Sequence, residues 1–207
     1  MTVADQMLAD FGELTVVYDA QVLCPRPWTI AQSTWCADIL RTAPEGPVLE
    51  LCAGVGHIGL ASVAEGRREL VLVDLNPVAC SLARRNIAAA VMCHRVEVRE
   101  GAMDEVLAPG EKFAHVIADP PWVPTEGIGE FPEDPTLAID GGSDGLAVAR
   151  TCCAVIETHL AEGGSAVMQL GSPAQATAIA KYLEVTSTLR VQETRSYDGG
   201  VLVLLTR

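Results

Sequence analysis

The chain is short of positive charge. Its 207 residues include 14 Lys and Arg against 27 Asp and Glu, a formal net charge of −13. Long-range attraction to a phosphate backbone needs a positive surface, so nucleic acid is a disfavoured partner. The Arg pairs at 67–68 and 84–85 are too short to reverse this. Long apolar runs are missing too. Gly, Pro or charge interrupts each of them well before the roughly 20 residues that cross a bilayer, which argues against a membrane role. The opening "MTVADQMLADFGE" has no basic start leading into an apolar stretch, so a cytoplasmic protein is expected. Repeated CxxC pairs, internal repeats and low-complexity tracts are likewise absent. The seven cysteines, at 24, 36, 52, 80, 93, 152 and 153, are odd in number and scattered through apolar segments, which predicts buried free thiols and no metal site.

What is present is 49% apolar residues, enough for one domain with a complete core. After the breaker "APEGP" at 43–47, apolar runs of strand character recur: 48–51, 69–74, 95–100, 113–118, 165–170, 188–194 and 201–206. Helical patterns separate the first five, the clearest being "NPVACSLARRNIAAA" at 76–90. Alternating strand and helix predicts a mostly parallel sheet covered on both faces. The last two strands are joined by "RSYDGG", an Asp-Gly turn signal, so the sheet is expected to finish with an antiparallel hairpin. Residues 1–45 read as a short N-terminal segment with a helix at 30–42, and 46–207 as the main domain.

Two places carry chemistry. "VLELCAGVGHIGLASV" sets a glycine-rich turn between a strand and a helix, where Gly54 and Gly56 permit backbone conformations closed to other residues. Asp74 closes the next strand in "VLVDLNP", and a carboxylate there can accept bonds from both hydroxyls of a ribose. It could instead cap the following helix, although Asn76 before Pro77 is the better cap. "GVGHIG" at 54–59 also satisfies GxGxxG, so these features alone suit a nicotinamide cofactor as well as S-adenosylmethionine. The second place is "DPPW" at 119–122, ending the fourth strand. Two prolines exclude the interior of a helix or central strand and predict a rigid loop. Asp119 and the Pro120 carbonyl can accept the two N–H bonds of a planar nitrogen, drawing it toward tetrahedral geometry as charge develops. Trp122 offers a flat surface to the acceptor. The bland reading makes Trp122 a core residue and "DPP" a turn. The loop from about 120 to 143 is longer than structureless loops usually are, and is expected to cover substrate.

These residues together resemble the class I methyltransferases with an (N/D)PP(Y/W/F) signature, above all the glutamine methyltransferases of peptide release factors. The resemblance takes in "VLCPRPWTI" at 22–30, "LELCAGVGHIG", Asp74, "DPPWVP", "EDPTLAIDGGSDGL" at 133–146 and "HLAEGGSAVMQLG" at 159–171. It implies a Rossmann-like class I methyltransferase fold, an α/β fold with a seven-stranded, mostly parallel sheet and a C-terminal antiparallel hairpin. It implies S-adenosylmethionine as cofactor, with Glu50, Cys52, Ala53, Gly54, Val55 and Gly56 toward its methionine end, Asp74 on the ribose and Asp119 at the transfer end. Asp119, Pro120 and Trp122 then carry the chemistry, with Thr29, Pro121 and Trp122 against the acceptor and Arg26 close by. The chain departs from the family in reading DPPW for NPPY, Ile30 for an acid, "GAMDEV" with Asp104 for an acid-aromatic pair, and about 45 residues where a helical substrate-gripping domain stands.

The expected activity is therefore methyl transfer to an amide or guanidino nitrogen, of a protein glutamine or of a small molecule. The departures favour a small or cationic acceptor. Methylation of a base amine in nucleic acid is the second reading, and a binding module without turnover the third. A homodimer that builds the acceptor wall from two chains is compatible with the sequence.

Overall fold

The computed structural model describes residues 6–207. The chain opens with an antiparallel hairpin, β1 (Met7–Phe11) and β2 (Leu14–Tyr18), turned at Gly12 with φ +60°. A 3-10 turn at Pro27–Thr29 leads into α1 (Ile30–Leu40). Then come β3 (Val48–Leu51), α2 (His57–Ser62), β4 (Leu70–Asp74), α3 (Pro77–Ala89), β5 (Val96–Glu100) and β6 (Phe113–Ala118). A 3-10 stretch at Thr125–Glu130 and the short α4 (Thr136–Ile139) interrupt the long loop before α5 (Ala147–His159). The chain finishes with β7 (Leu160–Leu170), α6 (Pro173–Thr186), β8 (Arg190–Tyr197) and β9 (Gly200–Thr206).

Seven strands form one sheet in the order β5-β4-β3-β6-β7-β9-β8. β3 to β7 pair in parallel, whereas β9 runs antiparallel to both β7 and β8. The expected α/β sheet with its terminal hairpin is therefore what the chain forms, and Asp198-Gly199 is the two-residue turn.

Strand alternation feeds two cores. Leu49, Leu51, Val71, Val73, Val116 and Ala118 face α5 and α6, while Val48, Leu70, Leu72 and Ile117 face α1, α2, α3 and the N-terminal hairpin. Asn76 caps α3 as read from the sequence, its side chain accepting from Val78 N at 2.9 Å with Pro77 in the first helical position. Asn86, buried on the same helix, accepts from Val17 N at 2.8 Å and donates to Val17 O at 3.1 Å and Val55 O at 3.0 Å. One side chain thus fastens the hairpin to the glycine turn.

β7 starts five residues before the apolar run that announced it, because Gly163 (φ +70°) and Gly164 bend within the strand and do not end it. Of the cysteines, Cys36, Cys80, Cys152 and Cys153 are buried, Cys24 and Cys52 are half-buried and Cys93 is exposed. Among the described residues no helix is long and apolar enough to cross a membrane.

Candidate active site

Strand order reverses at β3, which has β4 on one side and β6 on the other. In open α/β sheets the crevice beyond the carboxyl ends of the strands at such a point is where ligands sit. A cavity of about 330 Å³ opens there. Its wall takes Cys52, Ala53, Gly54 and Val55 from the turn after β3, Asp74 from β4, Gly101 to Asp104 after β5, and Asp119 and Pro121 after β6. The N-terminal segment adds Val22, Leu23, Cys24, Arg26 and Thr29, and the long loop adds Leu137 and Ala138. Leu137 and Ala138 thus make the loop part of the cavity wall.

The local causes of this geometry are distinct. Gly54 has φ +52° and nothing within 4 Å of where a Cβ would stand, so the backbone itself faces open space. Its N–H donates to Asp74 Oδ2 at 2.7 Å, and Asn76 N donates to Asp74 Oδ1 at 2.8 Å. Asp74 is thereby held rigidly at the cavity edge. Burial keeps its carboxyl above the usual range, opposed by the backbone N–H groups of Asn76, Gly54 and Leu75. Cys52 holds φ +56° although it carries a side chain, a strained conformation of the kind that gathers at functional sites. Its thiol is pushed well up by a hydrogen bond shared with Cys152 and by burial. Asp119 has its carboxyl pushed up to about 7 by burial.

Four predicted site residues stand elsewhere. Glu50 is 1% exposed and does not line the cavity. Its Oε2 accepts Gly59 N at 3.0 Å beneath the turn, and burial raises its pKa well above normal. The acid expected at the cofactor's methionine end instead pins α2 to β3. Gly56 also lies behind the wall, where a Cβ would come within 2.7 Å of Leu72 Cδ1, so packing explains this glycine. Pro120 is buried. Trp122 lays its ring on Gly171, where a Cβ would meet it at 2.2 Å, and its carbonyl accepts from Gln175 Nε2 at 2.8 Å. The indole braces the loop against the end of β7, closer to the bland reading than to an acceptor platform.

Residues 31–129 match the family model described as Methyltransferase small domain. The chain is 32% identical over 166 residues to a release factor glutamine methyltransferase of Deinococcus radiodurans, covering 78% of this chain and 58% of that one. It is 31% identical over 203 residues to a release factor glutamine methyltransferase of Caulobacter vibrioides, covering 93% and 69%. The chain belongs to the class I methyltransferase family of the release factor glutamine methyltransferases. It spans 58% and 69% of the length of these two relatives. Its fold is also that of a ribosomal protein L11 methylase from Lactobacillus delbrueckii subsp. bulgaricus, with a TM-score of 0.67, 13% identity and coverage of 97% and 98%.

Fold and family imply an S-adenosylmethionine site, and the residues fit one. The cavity falls in the size range of cofactor pockets. Gly54 presents bare backbone to it, Asp74 offers fixed acceptor oxygens for a diol, and Ala102 and Met103 supply apolar surface for a flat base. The sequence reading passed over His57, Val148 and Thr151, which also line the cavity. His57 stood in plain view inside the glycine motif, where the eye counts only the glycines. Val148 and Thr151 come from α5 and left no local signal.

Proposed function

We propose that the chain transfers a methyl group from S-adenosylmethionine to the side-chain amide nitrogen of a protein glutamine. The observation that carries this reading is a single cavity with Asp74 fixed at one part of its wall and Asp119 at another, on either side of the strand-order reversal. When bound, the cofactor supplies a methyl sulfonium, an electrophile open to in-line displacement. Gly54 and Asp74 hold it by backbone approach and by its ribose. Asp119 orients the amide by accepting an N–H bond, and in its ionised form stabilises the charge that grows on nitrogen. With a pKa of about 7, Asp119 is also able to take the proton that the methylated nitrogen sheds. Pro120 and Pro121 hold this acceptor still, and Leu137, Ala138 and the N-terminal segment keep water from the reacting atoms.

Membership of the glutamine methyltransferase family supports a protein amide over the small acceptor suggested by the sequence departures. A nucleic-acid base fits less well, because from Asp119 through Gly145 the chain carries seven acids and no basic residue. The test is incubation of a release factor with this protein and S-adenosylmethionine, read by mass spectrometry of the tryptic peptides, beside calorimetric titration of S-adenosylhomocysteine. One added methyl on a glutamine, lost in Asp119→Ala while that variant still binds S-adenosylhomocysteine, is the expected result. Wild-type protein that does not bind S-adenosylhomocysteine overturns the reading at its base. Binding without protein methylation removes the proposed acceptor alone.

A further inference from the structure

His57 is the first residue of α2 and lines the cavity next to the glycine turn. Its imidazole meets Phe11 of β1 edge to face, with centroids 4.7 Å apart and planes at 85°. Nδ1 is buried with no hydrogen-bond partner among the described residues. Burial pushes its pKa down to about 4, so the ring is neutral near pH 7 and carries one proton. An N–H buried without an acceptor is costly, whereas Nε2 can reach a partner through the cavity. The proton therefore belongs on Nε2.

The other side chains in the wall that can donate already have partners within the protein. Arg26 is paired with Asp134, Thr29 Oγ1 donates to Arg26 O, Asn76 Nδ2 to Gln21 O and Thr151 Oγ1 to Ala147 O. The remaining charged wall residues, Asp74, Asp104 and Asp119, are acceptors when ionised. An acceptor-only group lying along the glycine turn finds beside it, in His57, a side-chain donor with no partner among the described residues. S-adenosylmethionine brings one such group, the carboxylate of its amino-acid end, which in the proposed orientation runs along the turn at 52–56 directly before His57.

We propose that His57 binds the cofactor carboxylate through Nε2–H, with Phe11 fixing the ring from behind. This rests on the function proposed above. It makes the N-terminal hairpin a positioning element for the cofactor through the Phe11 contact.

The test is calorimetry on the full chain with two ligands, S-adenosylhomocysteine and 5′-methylthioadenosine, which keeps the nucleoside and thioether but lacks the amino-acid end. His57→Phe is expected to weaken S-adenosylhomocysteine about tenfold or more, the scale of a hydrogen bond to a charged group. It should leave 5′-methylthioadenosine unchanged, and His57→Gln should recover part of the loss. Nitrogen-15 imidazole shifts of the wild-type protein should report the Nε2–H form, a readout that survives even if His57→Phe does not fold. Equal weakening of both ligands, no weakening of either, or an Nδ1–H form overturns the inference while leaving the methyltransferase reading intact. Failure of the wild-type protein to bind S-adenosylhomocysteine overturns both.

Discussion

Arg26 Nη2 lies 2.5 Å from both carboxylate oxygens of Asp134, joining the N-terminal segment to the loop that follows β6. Arg26 itself lines the cavity and Asp134 is 8% exposed, so this is a half-buried clasp over the site. The Arg26 guanidinium also stands 5.6 Å from the Trp28 ring, and Trp28 in turn sits against Gly199 in the β8–β9 turn. Three parts of the chain distant in sequence meet at one edge of the cavity.

Breaking the clasp leaves an unpaired, poorly hydrated charge on either side. Arg26→Ala and Asp134→Ala are each expected to destabilise the protein by about 1–3 kcal/mol, below the cost at a fully buried pair because Arg26 keeps some solvent. The double variant should cost less than the sum of the two, as urea denaturation of all four proteins will show. Both single variants should raise KM for the acceptor more than they weaken S-adenosylhomocysteine. Strict additivity would dissolve the clasp as an energetic unit.

Asp119 makes stability and activity run in opposite directions with pH. Its folded pKa of about 7 lies above the unfolded value near 3.8, so between those values the folded state holds more protons and its stability falls as pH rises. The full contribution is at most about 4 kcal/mol at pH above 7 and vanishes below the unfolded pKa. Glu50 and Asp74 act in the same sense. His57 and His115, lowered to about 4, act oppositely between there and 6.5. The difference between wild type and Asp119→Asn isolates the one group, and denaturation from pH 4 to 8 should show the variant gaining relative stability toward high pH. Over the same range kcat/KM of the wild type should climb with an inflection near 7, since the ionised carboxylate is the form that accepts N–H bonds and a proton.

The sequence made visible whatever is local and periodic. β3 and β6 appear at their full lengths because central parallel strands are continuous apolar runs, and α3 announces itself through Asn76-Pro77. The hairpin β1–β2 escaped because each of its short strands buries a single residue, Phe11 and Val16, and its turn has a lone Gly12. α6 escaped because Ser172-Pro173, a good start signal, precedes a weakly patterned segment. At the site, Asp74, Gly54 and Asp119 were legible because strand ends in this fold point to one crevice. Glu50, Gly56 and Trp122 were assigned outward when they face inward. A motif records which residue types stand together, and only packing says which side of the wall each one occupies.

Asn86 is expected to be among the costliest polar substitutions. Asn86→Leu strands Val17 N, Val17 O and Val55 O in a buried layer, and the loss should be about 2–4 kcal/mol by chemical denaturation. Because Val55 lines the cavity, S-adenosylhomocysteine should also bind more weakly, which separates this variant from an ordinary core defect.

Gly59 and Glu50 form the last test, of whether the buried acid belongs to the scaffold. A Cβ at Gly59 would fall 2.2 Å from Glu50 Oε2 and 3.1 Å from Leu70 Cδ2, so Gly59→Ala must push α2 off β3 or displace the carboxyl from its N–H donor. A destabilisation of about 2 kcal/mol or more is expected. Glu50→Ala removes the obstructing oxygen, so adding it to Gly59→Ala should cost less than in the parent. If Glu50 held the cofactor directly, Glu50→Ala would abolish S-adenosylhomocysteine binding with little change in folding. Placed beneath the turn, it should lower stability first, and weaken the ligand only as far as the turn at 52–56 loosens.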